Sequence, residues 1–105
     1  MSGTFTQGRA EGQLPSSKGT LLTAGGLGVL VKTVILVNTS ADAVTVNLYF
    51  TRITSRRVIP KNYSLAPGAQ FEMDFNSILL AGDLVEGDAS VATTVDYCLS
   101  YVTET

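Results

Sequence analysis

Two apolar runs, residues 29–37 and 44–50, most constrain what this chain can fold into, because both repeat every second residue and neither follows the helical period. In the second run Val44, Val46, Leu48 and Phe50 share one face, while Thr45, Asn47, Tyr49 and Thr51 share the other. A pleated strand with one dry side produces that alternation. The first run places Val29, Val31, Thr33, Ile35 and Val37 on one face and Leu30, Val34 and Leu36 on the opposite one, interrupted only by Lys32. A strand apolar on both sides needs cover on both. Unbroken alternation therefore predicts that Leu30, Val34 and Leu36 are hidden by another polypeptide. Asn38-Thr39-Ser40-Ala41-Asp42 joins the two runs and reads as the turn of a hairpin.

The rest of the chain repeats the theme in shorter pieces. Residues 20–23 suit a short strand ahead of the glycine bend Ala24-Gly25-Gly26-Leu27-Gly28, and residues 57–60 suit an edge segment ending in Pro60. Pro67-Gly68 signals a turn, after which Phe71, Met73 and Phe75 alternate with Gln70, Glu72 and Asp74. Asn76-Ser77 and Ala81-Gly82-Asp83 read as further turns, and a last strand is predicted over residues 90–102. No segment sustains a helical period. Short strands separated by Gly, Pro, Asn and Asp predict an all-β fold, an antiparallel β-sandwich of jelly-roll-like form over residues 21–105. Residues 1–20 carry Gly3, Gly8, Gly12 and Gly19 among small polar residues, which predicts an extended N-terminal arm, disordered or lying along a neighbouring subunit.

At 105 residues the chain has room for one core. A domain of that size has little stability to spare, and its single cysteine, Cys98, offers no internal disulfide, so self-association is the expected supplement. The net charge of −2 is the wrong sign for displacing counterions from a phosphate backbone, which argues against nucleic acid as a partner. Arg52, Arg56 and Arg57 form a local basic exception, a solvated loop or a candidate grip on an acidic protein surface or a phosphate. No apolar stretch is long enough to span a bilayer, and Met1-Ser2-Gly3-Thr4-Phe5-Thr6 lacks the layout of an export signal, which predicts synthesis and folding in the cytoplasm without a membrane partner.

Chemistry is poorly provided for. With no histidine, zinc sites and serine triads lack their usual ligand and base, and Cys98 has no activating group beside it in sequence. Glu72 and Asp74 are close enough to act as a carboxyl pair, but the alternation puts both on a solvated face. Asp83, Glu86 and Asp88 are hard oxygen ligands around a glycine turn, yet their spacing matches no EF-hand loop. The glycines at 25, 26 and 28 lead into a β-branched run, not a helix, which excludes a phosphate loop. Asn38-Thr39-Ser40 and Asn62-Tyr63-Ser64 fit the glycosylation pattern but read as turn residues in a chain that is not exported. Tyr49, turned away from the core, is the candidate sugar contact. The residues thus predict neither enzyme nor cofactor.

In order along the chain, Val31-Lys32-Thr33-Val34-Ile35-Leu36-Val37-Asn38-Thr39-Ser40, Val44-Thr45-Val46-Asn47-Leu48-Tyr49, Leu65-Ala66-Pro67-Gly68 and Leu79-Leu80-Ala81-Gly82-Asp83 form a series. That series resembles a group of small β-sandwich virion proteins of tailed bacteriophages, over about residues 28–103. Two departures are the glycine bend at 24–26, where that group often has a proline turn, and the basic Ser55-Arg56-Arg57. The resemblance implies a structural component of the virion, made in the bacterial host cytoplasm. Capsid decoration is the leading role, with a neck or tail accessory ring as its variant. It implies no catalytic residues. Its expected partners are further copies of the chain, as a homotrimer, and the major capsid protein or other virion proteins, gripped through residues 1–20 and the loop at 52–57. A carbohydrate or host-receptor module on a fibre is the competing class.

Overall fold

The structure, a computed structural model, describes residues 4–105, among which every regular element is a strand. In chain order these are β1 (Phe5–Gln13), β2 (Gly19–Thr23), β3 (Gly28–Asn38), β4 (Val44–Arg52), β5 (Thr54–Arg57), β6 (Tyr63–Leu65), β7 (Gln70–Leu79), β8 (Leu84–Ala89) and β9 (Val95–Glu104). They form two antiparallel sheets. Sheet A runs β1-β9-β3-β7, and sheet B runs β2-β8-β4-β5 with β6 beside β5 on the same flank of β4. Val31, Val34, Leu36, Val95 and Leu99 of sheet A meet Val44, Val46, Leu48 and Val85 of sheet B, all nearly or fully inaccessible to water. The predicted all-β sandwich is the fold observed.

The link between β3 and β4 is not a hairpin, because the two strands belong to different sheets. Asn38, fully buried, builds the corner that carries the chain across. Its Nδ2 donates to the carbonyls of Asp42 (2.8 Å), Leu65 (3.0 Å) and Ala66 (3.2 Å), while its Oδ1 accepts from the N–H (2.9 Å) and Oγ (2.8 Å) of Ser40. A buried amide with every polar site engaged is a fixed joint, and the same enclosure leaves no room for a glycan. The turns at Pro67-Gly68 and Ala81-Gly82 form as predicted, with Gly68 at φ 74 and Gly82 at φ 93. Asn76-Ser77, by contrast, lies inside a continuous β7, where Asn76 takes φ 49 without ending the strand.

Met1, Ser2 and Gly3 of the predicted arm lie outside the described residues. The arm is extended over residues 5–13, but it lies along its own chain as β1, paired with β9 from Phe5↔Glu104 to Gln13↔Asp96. Leu14 then enters the core at 1% exposure. The physical reason lies in the glycines. Gly8 is opposite Tyr101 and Gly12 opposite Tyr97, and a Cβ on Gly8 would stand 2.5 Å from the Tyr101 ring. The tyrosines cover these bare backbone positions, so glycines that suggest disorder in isolation are docking points for β9.

Candidate functional site

The outward face of sheet A is set by one irregularity. Between Val31 and Thr33, β3 advances two residues while β9 advances one, from Tyr101 to Ser100, so Lys32 is the extra residue of a β-bulge. The bulge breaks the alternation read from the sequence. Val29 and Val31 before it, and Val34 and Leu36 after it, all face the core, whereas Leu30, Thr33, Ile35 and Val37 face outward. Val34 and Leu36 are both at 0% exposure inside their own chain and so cannot form a partner interface. Of the three residues predicted for that role, only Leu30 is outside. The side chains that replace the other two are Ile35 and Val37.

Register extends this face across the sheet. Val102 lies opposite Leu30 and Cys98 opposite Ile35, and these two β9 residues continue the apolar strip. Arg9 and Glu11 on β1, paired at 3.3 Å, border one side. Glu72 and Asp74 on β7 border the other, with Thr33 Oγ1 donating to Asp74 at 2.8 Å. At one end the strip opens into a hollow of about 250 Å³ lined by Phe5, Leu27, Leu30, Ile78 and Val102. Phe5 (66% exposed) and Ile78 (72%) stand out from it as bare apolar side chains. Thr33, opposite Ser100, divides the strip into two apolar parts, and together they are the candidate interaction surface. The sequence held one clue to it, the two-sided β3, but gave no means of locating the bulge.

The outward face of sheet B is its opposite. Asn47, only 7% exposed, donates through Nδ2 to Asp88 Oδ1 (2.8 Å) and Asn62 Oδ1 (3.0 Å), and accepts from Arg57 Nη1 (2.5 Å) and the Asn62 N–H (2.9 Å). Thr51 Oγ1 donates to Glu86 at 2.5 Å. Tyr49 donates its hydroxyl to Asp88 at 3.1 Å, while Lys18 and Arg57 stand 5.2 and 5.1 Å from its ring centroid. Burial, followed by the charge and hydrogen bond of Asp88, raises the Tyr49 phenol above its usual value against a smaller opposing effect of Arg57. A sugar would have to displace two cations to stack on this ring.

The three arginines do not act together. Arg52 pairs with Asp83 through Nε and Nη2, both at 2.8 Å. Asp83 is 6% exposed and also accepts from the Leu80 N–H. The Arg52 hydrogen bond holds its carboxyl below the usual range, with burial opposing. Arg57 is engaged by Asn47 and Tyr49, which leaves Arg56 exposed and without an ion pair among the described residues. Between Arg52 and Thr54 the hairpin turns on Ile53 alone, fully exposed at φ 65, a conformation a β-branched residue rarely adopts. The carboxylates weighed as calcium ligands diverge. Asp83 goes to Arg52, Glu86 to Thr51, and Asp88 to Asn47 and Tyr49. Among the described residues no three His, Cys, Asp or Glu side chains gather to hold a metal, and no helix is long and apolar enough to cross a membrane.

No protein-family model matches the chain, and no curated protein matches it in sequence. Its likeness is to solved structures. A chain from the acid-stable capsid of Helicobacter pylori bacteriophage KHP30 superimposes with a TM-score of 0.60 at 13% identity, covering 96% of this chain and 87% of that one. A chain of the Bacillus endospore appendages, which are disulfide-linked pili, gives 0.57 at 16% identity with coverage of 98% and 90%. The Gx strain of infectious bursal disease virus gives 0.56 at 12% identity over 98% of this chain, which spans 33% of the viral one. At such identities what is shared is the fold.

Proposed function

We propose that this chain is a structural protein of a bacteriophage particle, binding the capsid shell as a symmetric homo-oligomer in the manner of a decoration protein. The observation that carries the reading is the apolar strip of Leu30, Ile35, Val37, Cys98 and Val102, a surface that repeated neighbours would cover. The near end-to-end match to a chain of a phage capsid supports it, as does the order of turns and strands that resembles small phage virion proteins. A homotrimer is the proposed oligomer, with the major capsid protein as its partner and Arg56 as the one member of the predicted basic grip still available. A ring at the neck or tail would use the same face and differs in copy number per particle.

The test is sedimentation of the purified protein beside Ile35→Asp, together with co-purification with phage heads. The native chain is expected to sediment as an oligomer and to travel with heads. Ile35→Asp is expected to stay folded and to lose its binding to heads. A native chain that stays monomeric and fails to bind heads overturns the proposal. The sugar-binding alternative draws no support from Tyr49, whose ring is already covered within the chain.

A further inference from the structure

We infer that copies of this chain join edge to edge, β1 of one against β7 of the next, so that sheet A continues from subunit to subunit. The inference rests on the structural role proposed above and adds to the cover of the apolar strip a second contact, in the plane of sheet A. Among the described residues β1 and β7 are the two unpaired edges of sheet A, nine and ten residues long, and neither contains a proline or lysine to discourage pairing. Since β1 is antiparallel to β9, β9 to β3 and β3 to β7, the two edges run in opposite directions. Copies standing side by side in one orientation would therefore continue the antiparallel sheet. Such head-to-tail contacts close into rings when the rotation allows.

Backbone and side chains agree on the register. Thr4 and Thr105 exchange both of their hydrogen bonds (3.1 and 2.9 Å), and such pairs alternate along an antiparallel ladder, so Phe5, Gln7, Arg9, Glu11 and Gln13 turn their N–H and C=O groups away from β9. On β7 the Asn38 N–H reaches the Ala69 carbonyl (3.0 Å), and by the same alternation Gln70, Glu72 and Asp74 turn theirs away from β3. Setting Arg9 opposite Asp74 joins the two free sets. It pairs opposite charges, brings Phe5 to Ile78 and places Gln13 opposite Gln70. On the core side it sets Gly8, Ala10 and Gly12 against Phe75, Met73 and Phe71, with the Tyr101 and Tyr97 rings over the two glycines. The single like-charge meeting, Glu11 with Glu72, has Arg9 already beside Glu11.

The experiment is cross-linking of the full chain in a Cys98→Ser background. Directly opposed residues of a hydrogen-bonded antiparallel pair lie about 5.5 Å apart at Cα, within reach of a disulfide. Gln13→Cys combined with Gln70→Cys is expected to give a ladder of covalent multimers on oxidation, faster than the offset pair Glu11→Cys with Gln70→Cys. In the non-cross-linked protein Arg9→Asp should weaken association about fivefold, and adding Asp74→Arg should restore it. Circular dichroism establishes that each variant is folded. Oligomers that form with no ladder, a faster ladder from the offset pair, or no rescue by the charge swap overturn the edge pairing while leaving the structural role intact. A native chain that is monomeric and fails to bind heads overturns the role as well.

Discussion

On sheet B, Asn47, Tyr49 and Thr51 look outward from β4 and find Asp88, Arg57, Glu86 and Ser55 waiting in the same chain. On sheet A, Leu30 and Ile35 look outward from β3 and find Val102 and Cys98 opposite, while Val37 meets Asp96, all between two charged borders. The difference is one of chemistry. A polar surface can be completed by hydrogen bonds among its own members, with water taking up the remainder, whereas an apolar strip is relieved only when another body excludes water from it. One face of the sandwich is finished within the chain, and the other leaves apolar side chains without cover from it.

The sharpest way to break this comparison is to move one residue along β3. Val34→Asp buries an unpaired carboxyl and should cost about 4 kcal/mol or more, enough to abolish the folded state in a thermal melt. Ile35→Asp, one position away on the opposite face of the strand, should leave the melting temperature within a few degrees and remove head binding instead. The reverse pattern would restore the alternation that the sequence suggests and relocate the interface.

The corner that separates the two sheets comes next in size. Asn38→Ala leaves the carbonyls of Asp42, Leu65 and Ala66 without their donor and should cost about 3 kcal/mol in urea denaturation.

The edge of sheet A gives a smaller and graded effect. Gly8→Ala must push the Tyr101 ring aside and should destabilise by about 1 kcal/mol, read out as faster amide exchange in β1. At Gly12 the nearest ring atom is 3.2 Å away, so Gly12→Ala should be close to neutral, because a less flexible unfolded chain offsets the tighter contact.

The smallest effect lies at the Arg52 to Asp83 pair. Its carboxyl is held below the ordinary range, so its stabilisation is complete above that range and is lost as pH falls through the depressed value. Arg52→Gln should therefore lower the melting temperature slightly at neutral pH, by a difference that vanishes as Asp83 is protonated, and so flatten the acid limb of a plot of melting temperature against pH.

Much of the fold was legible because burial on one side of a strand leaves a mark on every second residue. Val44 to Phe50 carried that mark, and β4 formed with that polarity. The Pro67-Gly68 and Gly82 turns were legible because few residues tolerate their dihedrals. What escaped detection depended on partners distant in sequence. Gly8 and Gly12 mean disorder until Tyr101 and Tyr97 are known to lie across from them. The bulge at Lys32 exists only as a mismatch between β3 and β9, so no pattern internal to β3 could disclose it. The two-sided strand showed that β3 needs cover on both sides, but of the candidate face it placed only Leu30 correctly, and the other members required the register.

The strand at the middle of sheet A, β9, follows β1, β3 and β7 in the chain, and Phe5 must wait for Glu104 before it has a partner. During synthesis β1 and β3 therefore emerge with a gap between them that only the later segment can fill. The β9 half of the apolar strip and the β1 border come into being only when β9 inserts, whereas β3 and β7 pair with each other directly. Under the edge pairing inferred above, association would require β9 in place, and until then β1 and β3 carry the unpaired backbone edges from which misassembly starts.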